Sequence, residues 1–74
     1  RGESDMDEDV LNMSIRKFLK KVGVTSQREI EKAIAAAMTD DKLRGGETLA
    51  ARARLTIDEI NLDVTIEGDI ALEG

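Results

Sequence analysis

The spacing of the apolar residues changes once along the chain, and this change restricts the fold more than any other feature. Up to residue 38 the apolar side chains recur every three or four residues, which is the repeat of one helix face. From residue 49 they alternate with other residues, which is the repeat of a half-buried β-strand. The sequence therefore predicts an α+β protein in which helices precede an antiparallel sheet.

Two helices are predicted in the first half. The first covers about residues 7–22, because one face collects Leu11, Ile15, Phe18, Leu19 and Val22. Gly23 follows, and glycine is the residue most common just after a helix. Ser26 and Glu29 have the spacing of a capping box, which indicates a new helix start. The second helix is predicted over about 27–39, before a loop at Gly45–Gly46.

Three strands are predicted in the second half, over about 48–57, 60–67 and 70–73. A turn at Asp58–Glu59, or a four-residue loop in the same register, places Leu55 opposite Leu62 and Arg54 opposite Asp63. A second turn at residues 67–69 leads into the short third strand. We expect a disordered tail at 1–6 and one domain over 7–73, with the helices covering the apolar face of the sheet.

The chain lacks the residues of the commonest reactive and metal-binding sites. It contains no cysteine, histidine or tyrosine, so thiolate and imidazole metal sites and the usual catalytic bases and nucleophiles are missing. The acidic stretches "DEDV" and "TDDK" do not have the ligand spacing of a calcium loop. We therefore expect no catalytic residue, no metal, no cofactor and no small-molecule substrate, and hence no enzyme.

Charge is distributed unevenly along this acidic chain, whose net charge is −5. Residues 14–32 contain six basic and two acidic residues, whereas residues 56–74 contain six acidic residues and no basic one. The candidate patch for an anionic partner is Arg16, Lys17, Lys20, Lys21 and Arg28. Three interpretations remain open: a solvated helix face, a contact with the acidic half of a second copy, and an external anionic partner.

The stretch from Ser14 to Ile34 has the outline of a DNA-binding helix-turn-helix. Counted from Gly23, however, Glu29 and Lys32 occupy the positions that such a motif buries, and the whole protein is acidic. DNA reading is therefore disfavoured. A nucleic-acid accessory protein that binds phosphates through the basic patch is kept as the alternative function.

The segments "MSIRKFLKKVGVTSQREIEKAI", "GGETLAARARLTI" and "GDIALE" resemble a family of small bacterial proteins known only as a domain of unknown function. The resemblance extends from about Asp7 to Glu73. It implies a small, stand-alone bacterial protein of the cytoplasm. It implies no activity, and no functional residue follows from it.

Self-association is the function class that the composition favours. A 74-residue domain buries only about 60% of the surface that its unfolded chain exposes, and no disulfide or metal is available to stabilise it. We predict a protein-interaction or self-association module whose partner is an unknown protein or, in a homodimer, a second copy. Val10 and Met13, together with an edge strand of the sheet, form the flank through which copies would meet. The absence of cysteine and of a long apolar run favours a cytoplasmic protein without a membrane span.

Overall fold

A computed structural model describes residues 6–73 of the chain. It contains helix α1 (Glu8–Thr39) and strands β1 (Thr48–Ile57) and β2 (Leu62–Ala71). The α+β class is confirmed. The chain divides into two compact units, the first ending at Ala36 and the second beginning at Ala37, and each is described by itself. Apart from Met6, the predicted disordered tail lies outside the described residues.

Asp7 caps the start of α1. Its Oδ1 atom accepts hydrogen bonds from the backbone N–H groups of Asp9 at 3.0 Å and Val10 at 3.3 Å. Both donors belong to the first turn, whose N–H groups have no partner within the helix. Glu8 and Asp9 add negative charge at the positive end of the helix dipole. The helix thus begins within one residue of the predicted position.

The prediction of two helices was wrong, because α1 continues through Gly23 and Ser26 without interruption. A glycine inside a helix costs about 1 kcal/mol relative to alanine. Ending one helix and starting another leaves four carbonyl and four N–H groups without helical partners, and each such bond contributes about 0.5–1.5 kcal/mol. The chain has no proline that would force a break. Continuation therefore costs less than a turn, and the capping-box spacing has no effect here.

The end of α1 is a Schellman motif, in which a left-handed residue lets the following amides bond back to the last turn. Asp41 is that residue, with φ of 62°. Its N–H donates to the Met38 carbonyl at 3.2 Å, and the N–H of Lys42 donates to the Ala37 carbonyl at 2.8 Å. The predicted end at residue 39 is therefore correct, and Asp41 is the residue that ends the helix.

The two strands form an antiparallel hairpin in a register two residues away from the predicted one. Leu55 lies opposite Val64 instead of Leu62, and Arg54 lies opposite Thr65. The connection is a 3₁₀ turn, Asp58–Ile60, closed by Asn61 with φ of 54°. Asp-Glu does not supply the positive φ angles of a two-residue turn, whereas asparagine tolerates one. Because the shift is even, the same residues still share the apolar face.

The predicted third strand is also wrong. β2 passes through Gly68 and ends at Ala71, so residues 68–71 pair with residues 48–51. One more bond, from the Leu72 N–H to the Glu47 carbonyl at 3.1 Å, extends the pairing beyond β2. Turning at Gly68 would have left the first half of β1 without partners, and continuation pairs it completely.

Candidate self-association surfaces

Helix α1 carries one straight apolar stripe along its whole length. Each helical residue turns by about 100°, and on this count seven positions fall within about 80° of one another. They are spaced by four or three residues, close to the about 3.67 residues per turn of an 11-residue repeat, so the stripe stays nearly parallel to the helix axis. The stripe consists of Ile15, Leu19, Val22, Ser26, Ile30, Ala33 and Ala37. Leu11 and Phe18 lie along one margin.

The stripe is exposed apart from Ala37, which is half-buried, and its side chains decrease in size along the helix. Leu19 is 50% exposed and Val22 is 37% exposed. The large residues of the stripe and its margin lie mostly in the first half of α1, whereas Ala33 and Ala37 lie in the second half. No residue of the described part of the chain is buried. The helix therefore presents a long apolar surface with large side chains at one end and small ones at the other.

The predicted flank of Val10 and Met13 lies on the opposite side of α1 from the apolar stripe. On the same count both residues point about 150° away from the midline of the stripe. Met13 is 71% exposed, and the two side chains border a shallow depression together with Ser14 and Lys17. The structure therefore separates two apolar surfaces that the sequence placed side by side.

The five residues of the basic patch all lie on α1, but not on one face. Lys17, Lys21 and Arg28 fall within about 40° of one another on the side opposite the stripe. Lys20 lies about 60° from Lys17, and Arg16 lies about 100° from it. Arg28 lies in line with Lys17 and Lys21 because the helix is uninterrupted. Two separate helices would not fix this alignment. Nearby, Lys32 pairs with Glu29 at 3.3 Å.

The hairpin has one apolar face and one charged face. The apolar face pairs Leu49 with Ile70, Ala53 with Ile66, Leu55 with Val64 and Ile57 with Leu62, and Ala51 faces Gly68. This face is only partly covered: Ile66 is 60% exposed. Sequence reasoning predicted these residues as core, whereas none of them is buried and about half of them are exposed. Apolar residues alternate in the same way whether a strand face is buried in a core or left open, so no signal in the sequence distinguishes the two.

Two carboxyl groups of the second unit have a lowered pKa. The backbone N–H groups of Arg44 and Gly45, at 2.9 Å from the Glu47 carboxylate oxygens, lower the pKa of Glu47 because they bind its charged form. Arg54 lowers the pKa of Asp63 through a two-bond contact, with Nη2–Oδ2 at 2.7 Å and Nε–Oδ1 at 3.0 Å. The predicted Arg54–Asp63 pair thus exists, but diagonally across the strands.

The described residues offer little else that resembles a functional site. No three of their acidic side chains come together as a possible metal-binding group. The helix that they form lacks the apolar run that a bilayer-spanning segment needs. The apolar faces of α1 and of the hairpin are therefore the candidate functional surfaces of the described residues.

The comparison with family models identifies the chain. A family of unknown function, DUF6494, matches residues 6–73. The chain belongs to this family. The match agrees with the resemblance to a domain of unknown function that the sequence motifs indicated. No curated protein and no solved structure matches the chain.

Proposed function

We propose that this member of the DUF6494 family is a non-enzymatic interaction module that works by self-association, with a homodimer as the functional unit. One observation supports the proposal above all: the residues of two apolar faces are exposed or half-buried, and none of the described residues of the chain is buried. Large exposed apolar patches mark interaction sites. A two-stranded hairpin is also marginally stable by itself in water, so the chain gains stability from association.

Two valines of α1 provide a matched pair for testing this function. Val22 belongs to the apolar stripe, whereas Val24 points to the opposite side of the helix. Their exposed fractions are similar, 37% and 43%. Val22→Asp and Val24→Asp therefore introduce the same change into the same helix, two residues apart, and differ mainly in the face that receives the charge.

Sedimentation equilibrium measures the oligomeric state of the wild type and of both variants and so tests self-association through the stripe. We expect a wild-type dimer, a monomer for Val22→Asp and an unchanged dimer for Val24→Asp, because a carboxylate within an apolar interface loses its hydration without gaining a partner. A wild type that stays monomeric at about 1 mM, well above a micromolar dissociation constant, contradicts self-association. Dissociation by Val24→Asp alone contradicts the choice of surface.

The alignment of Lys17, Lys21 and Arg28 favours one second candidate function, phosphate binding as a nucleic-acid accessory protein. These cations form a line on the side opposite the apolar stripe and so could act in a dimer that uses the stripe. The chain has a single aromatic residue, Phe18, and single-strand binders generally use aromatic side chains as stacking platforms. We therefore rank this function second.

Titration of the wild type with single-stranded RNA and duplex DNA tests the second function. Binding that weakens steeply from about 50 mM to 200 mM salt, and that is lost in a Lys17→Glu/Lys21→Glu variant, supports phosphate contacts. Arg52→Glu, on the hairpin, is the control for the same type of charge reversal. The absence of binding at about 50 mM salt excludes this candidate.

A further inference from the structure

The size gradient along the stripe gives the association a direction. In a parallel pair of helices each residue faces its own copy, so large side chains meet large ones and alanine meets alanine. In an antiparallel pair centred at the level of Val24, half a residue from the middle of α1, Ile15 faces the partner's Ala33 and Leu11 faces the partner's Ala37. These two contacts place a large side chain against a small one near both ends of the pair, which allows the two helices to pack closely there.

Charge supports the same direction. The segment from residue 16 to 21 contains four basic residues and no acidic one, whereas residues 27–32 contain two of each sign. Parallel helices place the basic segment at the same level as its own copy, so Arg16 and Lys20, which lie nearer the stripe than Lys17 and Lys21 do, repel their copies. Antiparallel helices place it beside the neutral segment. Opposed helix dipoles add a small favourable contribution.

The area that a stable dimer needs favours a register in which the two helices overlap along nearly their whole length. Specific interfaces bury about 800 Å² on each partner. The 32 residues of α1 span about 48 Å at 1.5 Å per residue. If only the first halves of the two helices overlapped, each helix would use about half of its length in the contact. The full overlap also places the stripe's single polar residue, Ser26, opposite Val22 beside the centre of the contact.

We propose that the partner of α1 is the α1 helix of a second copy, packed antiparallel through the stripe and centred at the level of Val24. This proposal rests on the proposed function and adds the partner element, its direction and its register. Ile15 then faces the partner's Ala33, Phe18 faces the partner's Ile30 and Val22 faces the partner's Ser26.

Disulfide cross-linking tests the arrangement directly, because the chain contains no cysteine of its own. Cysteines bridge only when their Cα atoms lie within about 7 Å. An equal mixture of Ile15→Cys and Ala33→Cys chains should form the mixed disulfide, identified by mass spectrometry. Ile15→Cys alone should not form one, since the two copies of residue 15 lie about 27 Å apart in this register. A mixture of Met13→Cys and Ala35→Cys, on the outer side, is the matched control and should not cross-link.

Exchange of the two facing residues gives a second test that needs no oxidation. Ile15→Ala and Ala33→Ile should each weaken the dimer by about tenfold or more, through a cavity or through overpacking. The double variant should recover most of the affinity, because alanine and isoleucine again face each other in antiparallel helices. Parallel helices predict no such recovery.

The outcomes separate this arrangement from the proposed function. A dimer in which Ile15→Cys cross-links with itself, or in which the exchange gives no recovery, overturns the antiparallel arrangement and leaves self-association intact. A dimer that links Met13→Cys to Ala35→Cys instead shows that copies meet through the opposite side of α1, which also overturns the arrangement. A monomer at all concentrations overturns both.

Discussion

At the scale of single residues, backbone conformation rather than residue type decides where the helix stops. Gly23 looks like a helix end, but it is helical, and a Cβ added there would have no atom within 4 Å beyond the adjacent backbone of its own helix. Gly45 has φ of 106°, which only glycine adopts without strain. The left-handed residue that ends α1 is Asp41. A glycine in the sequence is thus ambiguous until its φ angle is known.

Substitution of the two glycines should therefore have opposite effects. Gly23→Ala should raise the free energy of unfolding by about 1 kcal/mol, because alanine is the better helix former. Gly45→Ala should lower it by about 1 kcal/mol, because alanine is strained at positive φ. Urea unfolding followed by circular dichroism measures both at one protein concentration. A loss of stability for Gly23→Ala would show that the helix ends there.

Glu47 should make the second unit sensitive to acid. Its pKa is lowered from 4.5 by the N–H groups of the loop that it caps, that of Arg44 first. A group whose folded pKa is lowered stabilises the fold fully above its unfolded pKa, and the effect disappears as the pH falls through the folded value. Glu47→Gln should therefore flatten the decline of stability below about pH 4.5.

Unfolding by urea between about pH 3 and 7 measures this dependence. Glu59→Gln, in the exposed 3₁₀ turn, is the matched control for the loss of one carboxylate. An equal flattening by both variants contradicts the role of the loop hydrogen bonds.

At the scale of elements, the hairpin shows which feature sets a register. Apolar alternation fixes only whether the shift is even or odd, because an even shift keeps every side chain on its face. The turn fixes the rest, and here it is a four-residue connection closed by Asn61. The Arg54–Asp63 contact was consistent with both even registers, because a long side chain reaches a diagonal neighbour as well as an opposite one.

Engineered disulfides distinguish the two registers. Leu55→Cys with Val64→Cys should oxidise readily, because directly opposed residues have Cα atoms about 4.5–5.5 Å apart. Leu55→Cys with Leu62→Cys, the pair expected from the sequence, should oxidise poorly, since these residues are diagonal. Mass spectrometry of the monomer fraction after mild oxidation gives the ratio. Preferential oxidation of the second pair would show that the register expected from the sequence is the correct one.

At the scale of the whole molecule, stability should depend on protein concentration. Association stabilises a fold by mass action, so the thermal midpoint of a dimer rises with total concentration. We expect the midpoint to rise by several degrees between about 10 μM and 1 mM. Val24→Asp should show the same dependence and Val22→Asp should not. Circular dichroism at both concentrations measures it, and a constant wild-type midpoint contradicts the dimer.

The sequence by itself determined the classes of structure: helix and then antiparallel hairpin, the start near residue 7, the end at residue 39, and the membership of the apolar faces. These follow from local periodicity and from the loss of periodicity, which neighbouring residues set without reference to distant ones. The spacing of the apolar residues also contained the stripe from Ile15 to Ala37. Gly23 and the Ser26–Glu29 pair, however, led to the prediction of two separate helices in its place.

Only the tertiary structure decided the continuity of α1, the register of the hairpin and the exposure of the apolar faces. Each depends on a comparison of free energies that residue type does not reveal. A glycine in a helix competes with two new helix ends, a tight turn competes with a four-residue loop closed by Asn61, and an apolar face can be covered within the chain or by another molecule. Periodicity identifies such a face, but it carries no information about what covers it.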